Sequence, residues 1–171
     1  SPWLHQQLRV GDTLLASAPA GEFHLGTERS LLLLSAGSGV TPMLAIARTL
    51  GLRGELGDVH FMHLCRSEAD IPAAAELYAM AQQGMALTLI LSQPDGHWQG
   101  LKGRLCDTHL AQIKGLHQRE VFLCGPHGFM ADAAARLTAL GVPASQIRQE
   151  SFGGAILSVA RPHKAIRLRI G

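Results

Sequence analysis

The sequence predicts an α/β fold built on a doubly wound, five-stranded parallel sheet, and three observations predict it. Leu31 to Leu34 run without polar alternation into Gly37 and Gly39, as expected of a strand covered on both faces that ends in a tight turn. The same strand-to-glycine device returns in "EVFLCGPHGF", Glu120 to Phe129. Around these two, strand-length apolar runs alternate with stretches at helical spacing, the order a parallel sheet with crossover helices requires.

Each element follows in turn. "LRVGDTLLASAPAGEFHL", Leu8 to Leu25, is hairpin-like, with turn residues at Gly11-Asp12 and Pro19-Ala20-Gly21. After the first strand, Val40, Met43, Leu44, Ile46, Ala47 and Leu50 take helical spacing. Pro42 falls in that helix's first turn, where N–H groups have no intrahelical partner. A strand, a glycine turn and a helix N-terminus together make a place for phosphate. Gly57 to Cys65 is the second strand, and a helix runs from about Asp70 to Gln83. Met85 to Ser92 is the third strand, and "PDGHWQGLKGRL" a loop rich in turn residues. A short helix fits Asp107 to Ile113, the fourth strand ends at Cys124, and Met130 to Leu140 continue as a helix. "SQIRQESF" supplies the fifth strand. Alternating Ile166, Leu168 and Ile170 look like the first strand of something further, so the chain is expected to be cut at both ends.

Composition narrows the class. The chain has 171 residues, 47% hydrophobic but only 5% aromatic, so its core is made of Leu, Ala, Val and Ile. A formal charge of +2 with no Lys/Arg block argues against nucleic acid. No apolar run has the length of a membrane span, and the first residues lack the architecture of a signal peptide. Three cysteines in separate segments suit a reduced, cytoplasmic protein better than a disulfide framework.

Ligands of an open parallel sheet lie beyond the carboxyl ends of its strands. Here those ends carry Ser35 to Thr41, Cys65 to Ser67, Ser92 to Asp95, Cys124 to His127 and Glu150 to Phe152. "AGSGVTPM", then "LCGPHGFM", then "ESFGG", in that order, resemble the ferredoxin–NADP reductase family of flavin-dependent reductases. The resemblance implies a Rossmann-like nucleotide-binding domain at 29–153, preceded at 1–28 by the last strands of a FAD-binding barrel. It implies at 154–171 a linker and first strand of a further domain, of the plant-type [2Fe–2S] ferredoxin kind. Hybrid-cluster-protein reductases and oxygenase reductase components are the nearest comparisons. The implied chemistry is hydride transfer from nicotinamide C4 to flavin N5, then single-electron exit to an iron–sulfur centre or a redox partner such as a hybrid-cluster protein or an oxygenase.

The same resemblance implies roles for residues. Gly37, Ser38, Gly39, Val40 and Thr41 offer donors to the nucleotide, and Pro42 fixes the helix start. Cys124, before Gly125 and Pro126, faces the nicotinamide, and Glu150 helps hold that end; with Thr41 these form the expected catalytic group. Phe152 covers the flavin, Ser1 ends a flavin-phosphate motif, and Arg66 and Ser92 lie near a ribose or its phosphate. Ser92 is followed by Gln93 where NADPH-selective relatives carry arginine, which favours NADH; Arg66 leaves NADPH open. Two other readings stand beside this one. A non-enzymatic nucleotide-binding or partner module would keep the glycine turn without needing Cys124 or Phe152. A zinc-stabilised domain would use the Cys-x-x-His pairs Cys106/His109 and Cys124/His127. The second pair straddles a strand end and a turn, and His60 and His63 point to opposite faces of one strand, so no metal site is assigned.

Overall fold

Six parallel strands make the main sheet, in the order β5-β4-β3-β2-β6-β7. They are β2 (Leu31–Ala36), β3 (Val59–Cys65), β4 (Ala86–Leu91), β5 (Leu101–Lys102), β6 (Glu120–Cys124) and β7 (Ile147–Glu150). The computed structural model describes residues 2–17, 21, 23–27, 30–151 and 165–169. Two compact units divide the chain, Phe23–Gly154, and Ser1–Glu22 with Ala155–Gly171.

The five strands expected from sequence are present, and β5 is added at one edge. It lies in the segment read as a loop, because two residues carry no periodicity to detect. Its place is set by backbone and indole: Leu101 and Lys102 pair with Ile90 and Leu91, Gly103 N–H donates to the Leu91 carbonyl, and Trp98 Nε1 donates to the Leu101 carbonyl at 2.9 Å.

Helices cover both faces. On one lie α2 (Val40–Arg53) and α3 (Ala74–Gln82), packing Met43, Ala47, Leu50 and Leu77 against Leu31, Leu33 and Phe61. On the other lie α4 (Asp107–Ala111) and α5 (His127–Ala139), packing Leu110, Met130, Ala133 and Leu137 against Leu32, Leu34 and Leu123. All four leucines of β2 are fully buried, as a strand covered on both faces requires.

Helix starts differ from the expected ones for local reasons. The helix expected from Asp70 begins at Ala74. Ser67 and Asp70 cap each other reciprocally around a single tight turn, and Ile71 is extended (ψ 111°), since a residue before proline disfavours helical geometry. Conversely, α5 starts at His127 rather than Met130, because extended Pro126 (ψ 145°) ends the preceding turn and opens the helix. The helix expected at Asp107 to Ile113 stops at Ala111.

In the other unit, α1 (Pro2–Gln6) precedes β1 (Thr13–Ser17). Of the hairpin expected over residues 8–25, β1 is the strand among the described residues, and the turn at Pro19-Ala20 lies outside them. The antiparallel partner of β1 is β8 (Ala165–Arg169), with Leu14 opposite Leu168 and Ala16 opposite Ile166. Among the described residues no helix is long and apolar enough to cross a membrane.

Among the described residues, few polar side chains are buried inside the sheet. Buried Arg119, just before β6, donates to the carbonyls of Lys114, Leu31 and Asp58 and bonds Asp58 Oδ1 at 2.8 Å, clasping the N-terminal ends of β2, β3 and β6. Removing the guanidinium takes this donor from the Lys114 and Leu31 carbonyls, while the Asp58 carboxylate is solvated and its carbonyl keeps the Leu31 N–H, so Arg119→Ala should cost about 2 kcal/mol, read as a shift of the urea midpoint.

His60 on β3 bonds Thr88 on β4 (Nε2 to Oγ1, 2.8 Å), and His63 bonds Ser35. Burial, aided by Arg119 at His60, lowers both rings from 6.5 to about 4. Folded values below the unfolded ones mean that the unfolded chain binds more protons, so stability falls as pH falls. The melting temperature should hold above pH 6.5 and drop between 6.5 and about 4. Circular dichroism melts across that range test it, and a chain lacking both imidazoles should lose that part of the slope.

Candidate functional site

Chain order along the sheet reverses between β2 and β6, since β3 and β4 follow β2 to one side and β7 follows β6 to the other. The two connections leave in opposite directions and open a crevice at the C-terminal edge, where open α/β sheets bind ligands. The loops flanking that crevice are the two glycine turns.

They touch through backbone. Gly39 is buried, and a Cβ there would collide with the carbonyl of Cys124 and come within 2.6 Å of Gly125 N. Gly125 reciprocates: its Cβ would meet Phe129 Cδ1 at 2.7 Å and the Ala36 carbonyl at 3.2 Å. Gly37 is different, because nothing crowds it but its φ of +55° is left-handed, which glycine adopts without cost. The Thr41 hydroxyl donates to the Ser38 carbonyl at 3.2 Å and closes the turn. Pro42 lies in the first turn of α2, half-buried.

Two helix N-termini converge here, those of α2 and α5, and neither has an acidic residue in its first turn. No carboxylate in either first turn opposes their partial positive charge, which suits a phosphate.

From the crevice a cleft of about 810 Å³ extends across the ends of β3, β4 and β5. Of the residues singled out from sequence, Gly37, Ser38, Val40, Arg66, Ser92 and Pro126 line it. Arg66 reaches Asp70 at 3.5 Å. The loops after β3 and β4 are tied together by Ser92 N–H to Cys65 O and Gln93 N–H to Arg66 O. Sequence reasoning missed Arg104, Phe129 and Asp132, which also line the cleft. Arg104 is exposed and forms no ion pair among the described residues. The glycine before it, Gly103 at φ +97°, was the available signal.

Cys124 and Glu150 lie outside this cleft but beside each other, as register partners on β6 and β7. Cys124 is fully buried. Burial foremost, and the Glu150 carboxylate second, push its thiol up, while the Gly125 backbone works against them. A thiol held protonated is a surface to pack on and not a nucleophile. Ser1 and Phe152 lie outside the described residues. Cys65, Cys106 and Cys124 are free thiols, and no group of three or more possible metal ligands occurs among the described residues.

Crevice, glycine contact and paired helix N-termini are the arrangement of a nucleotide-binding α/β domain. Residues 33–135 match the oxidoreductase NAD-binding domain family, and the chain belongs to it, as the nucleotide-binding part of ferredoxin–NADP reductase-type proteins. It is 36% identical over 155 residues to a flavohemoprotein of Vibrio cholerae, covering 90% of this chain and 38% of that protein. It is 33% identical over 157 residues to the stachydrine N-demethylase reductase subunit Stc4 of Rhizobium meliloti, covering 88% and 44%. Among solved structures, the FAD/NAD-binding domain of the Vibrio cholerae nitric oxide dioxygenase superposes with a TM-score of 0.76 at 34% identity, over 90% of this chain and 64% of that one. The chain thus spans well under half the length of the two curated relatives.

The two glycines separate by experiment. Gly39→Ala should raise the NADH dissociation constant at least about tenfold, some 1.4 kcal/mol, because the β2 turn must lift off β6. Gly37→Ala should cost about 1 kcal/mol of stability with little change in affinity. Nucleotide titration alongside thermal melts reads both.

Proposed function

We propose that this chain is the NADH-binding module of a reductase that passes hydride from nicotinamide to FAD and then single electrons to an iron–sulfur centre or partner protein. The observation that carries the reading is the glycine-on-backbone contact between the β2 and β6 turns, which brings two helix N-termini to one crevice. The pyrophosphate would lie at those termini, and the adenosine along the cleft past Arg66, Ser92 and Arg104. The nicotinamide would lie over Cys124, between the Thr41 turn and Glu150, as a site for alignment and exclusion of water. Bound flavin would supply the two-electron to one-electron conversion. Ser1 and Phe152 are the residues of this chain assigned to it.

A [2Fe–2S] domain beyond residue 154 and an acceptor such as an oxygenase or hybrid-cluster protein complete the proposal. Resemblance supports it, together with a relative that is the reductase subunit of a demethylase. A cytoplasmic setting belongs to the same reading and is supported by the three free thiols.

NADH is proposed over NADPH because Gln93 stands where an arginine would meet a 2′-phosphate, and Asp70 engages Arg66. Titrating the purified chain with both nucleotides should give NADH binding on the order of millimolar, a few kcal/mol, and no tighter NADPH binding. Arg104→Ala should weaken both nucleotides alike. A loss confined to NADPH would assign Arg104 to a 2′-phosphate, and absence of binding to either nucleotide would overturn the proposal.

A further inference from the structure

Two buried polar side chains have no part in the site as placed above. Ser35 on β2 and His63 on β3 are register partners, both fully buried, with Ser35 Oγ 2.9 Å from His63 Nδ1. The cluster on this face is otherwise apolar, with Leu33, Phe61, Leu89, Phe122 and Val40. The pair is costly there, because His63 Nε2 is buried without a partner, whereas an apolar pair of similar volume would leave nothing unsatisfied. Its polarity therefore calls for a reason beyond packing.

The neighbour on the other side supplies one. Ser35 is also the register partner of Cys124 on β6, as Cys124 is of Glu150 on β7, so a row His63–Ser35–Cys124–Glu150 crosses one face of the sheet at its ligand-binding end. Side chains in register on adjacent parallel strands share a face, with backbones about 4.8 Å apart. The Ser35 hydroxyl thus stands between an imidazole and a thiol, and it bonds the imidazole. The ring is neutral at ordinary pH, lowered to about 4 by burial, so it can engage the hydroxyl as donor or acceptor. The protonated thiol is a weak donor and a weak acceptor, and would capture the hydroxyl only if the ring released it.

We propose that His63 is a positioning residue that holds the Ser35 hydroxyl off the Cys124 thiol, leaving the thiol to face the nicotinamide. The inference rests on the placement of the nicotinamide given above. His63 acts through Ser35 and touches no nucleotide.

The S–H stretching band of Cys124 reads the arrangement in the chain as it stands. The band is isolated by subtracting the infrared spectrum of the matching Cys124→Ala chain. His63→Leu should displace it to lower frequency, as the thiol donates to the released hydroxyl oxygen. Ser35→Ala should leave it in place, and the double variant should return it to the parent position, a rescue that general loosening of the core would not give. A band unmoved in folded His63→Leu overturns the proposal. So does a band shifted by Ser35→Ala, since the hydroxyl would then already hold the thiol; this arm decides alone if His63→Leu does not fold. Saturating NADH tests the underlying placement separately. A parent band indifferent to NADH would overturn the position given to the nicotinamide, while the comparison of variants would still stand or fall on its own.

Discussion

A missing methyl group at residue 39 is the constraint on which the site depends. The β2 turn can rest on the backbone of Cys124 and Gly125 only because Gly39 has no side chain, and Gly125 admits the Ala36 carbonyl and the Phe129 ring for the same reason. Close approach of these turns draws the first turns of α2 and α5 together. It also sets the reach between the cleft on one side and Cys124 on the other. The dimensions of the site are thus fixed by backbone packed on backbone, which a rotamer change cannot relax.

Polarity is rationed along the strands. At their N-terminal ends Arg119 spends its guanidinium on main-chain carbonyls and Asp58. In their middle the sheet is leucine, valine and phenylalanine, and at their C-terminal ends hydroxyl, imidazole, thiol and carboxylate appear in one row. Surface ion pairs such as Arg48–Glu76, at 2.6 Å, join α2 to α3, but exposed pairs of this kind contribute little. The long-range order comes from burial and from Arg119.

Much of this was legible in the residues. Leu31 to Leu34, Gly37 to Gly39 and the Cys124–Pro126 turn announce a covered parallel sheet whose strands end in tight turns, because their constraints are local: strand burial, positive φ, helix entry. What escaped depends on distant partners or on very short elements. β5 is two residues held by an indole and a glycine. Arg104 joins the site only through that strand. The late start of α3 follows from a reciprocal cap between Ser67 and Asp70, followed by Ile71-Pro72, competing signals inside a stretch whose apolar spacing is helical. The pairing of β1 with β8 joins residues from opposite ends of the chain, which no local pattern encodes.

The Arg119 clasp bears on the order in which the domain assembles. Its acceptors at Leu31 and Asp58 precede it by 88 and 61 residues, so β2, β3 and the helices on their first face can associate before the arginine exists on a chain growing from its N-terminus. Until β6 docks, Leu31 N–H already holds the Asp58 carbonyl, but the arginine is missing from both acceptors and one side of β2 is an open edge. Such long-range closure is slow relative to local helix formation, and an unpaired central strand invites association with other chains. The half-made sheet is therefore the species most exposed to misassembly, and the arrival of one buried cation ends that exposure by closing three strands at once.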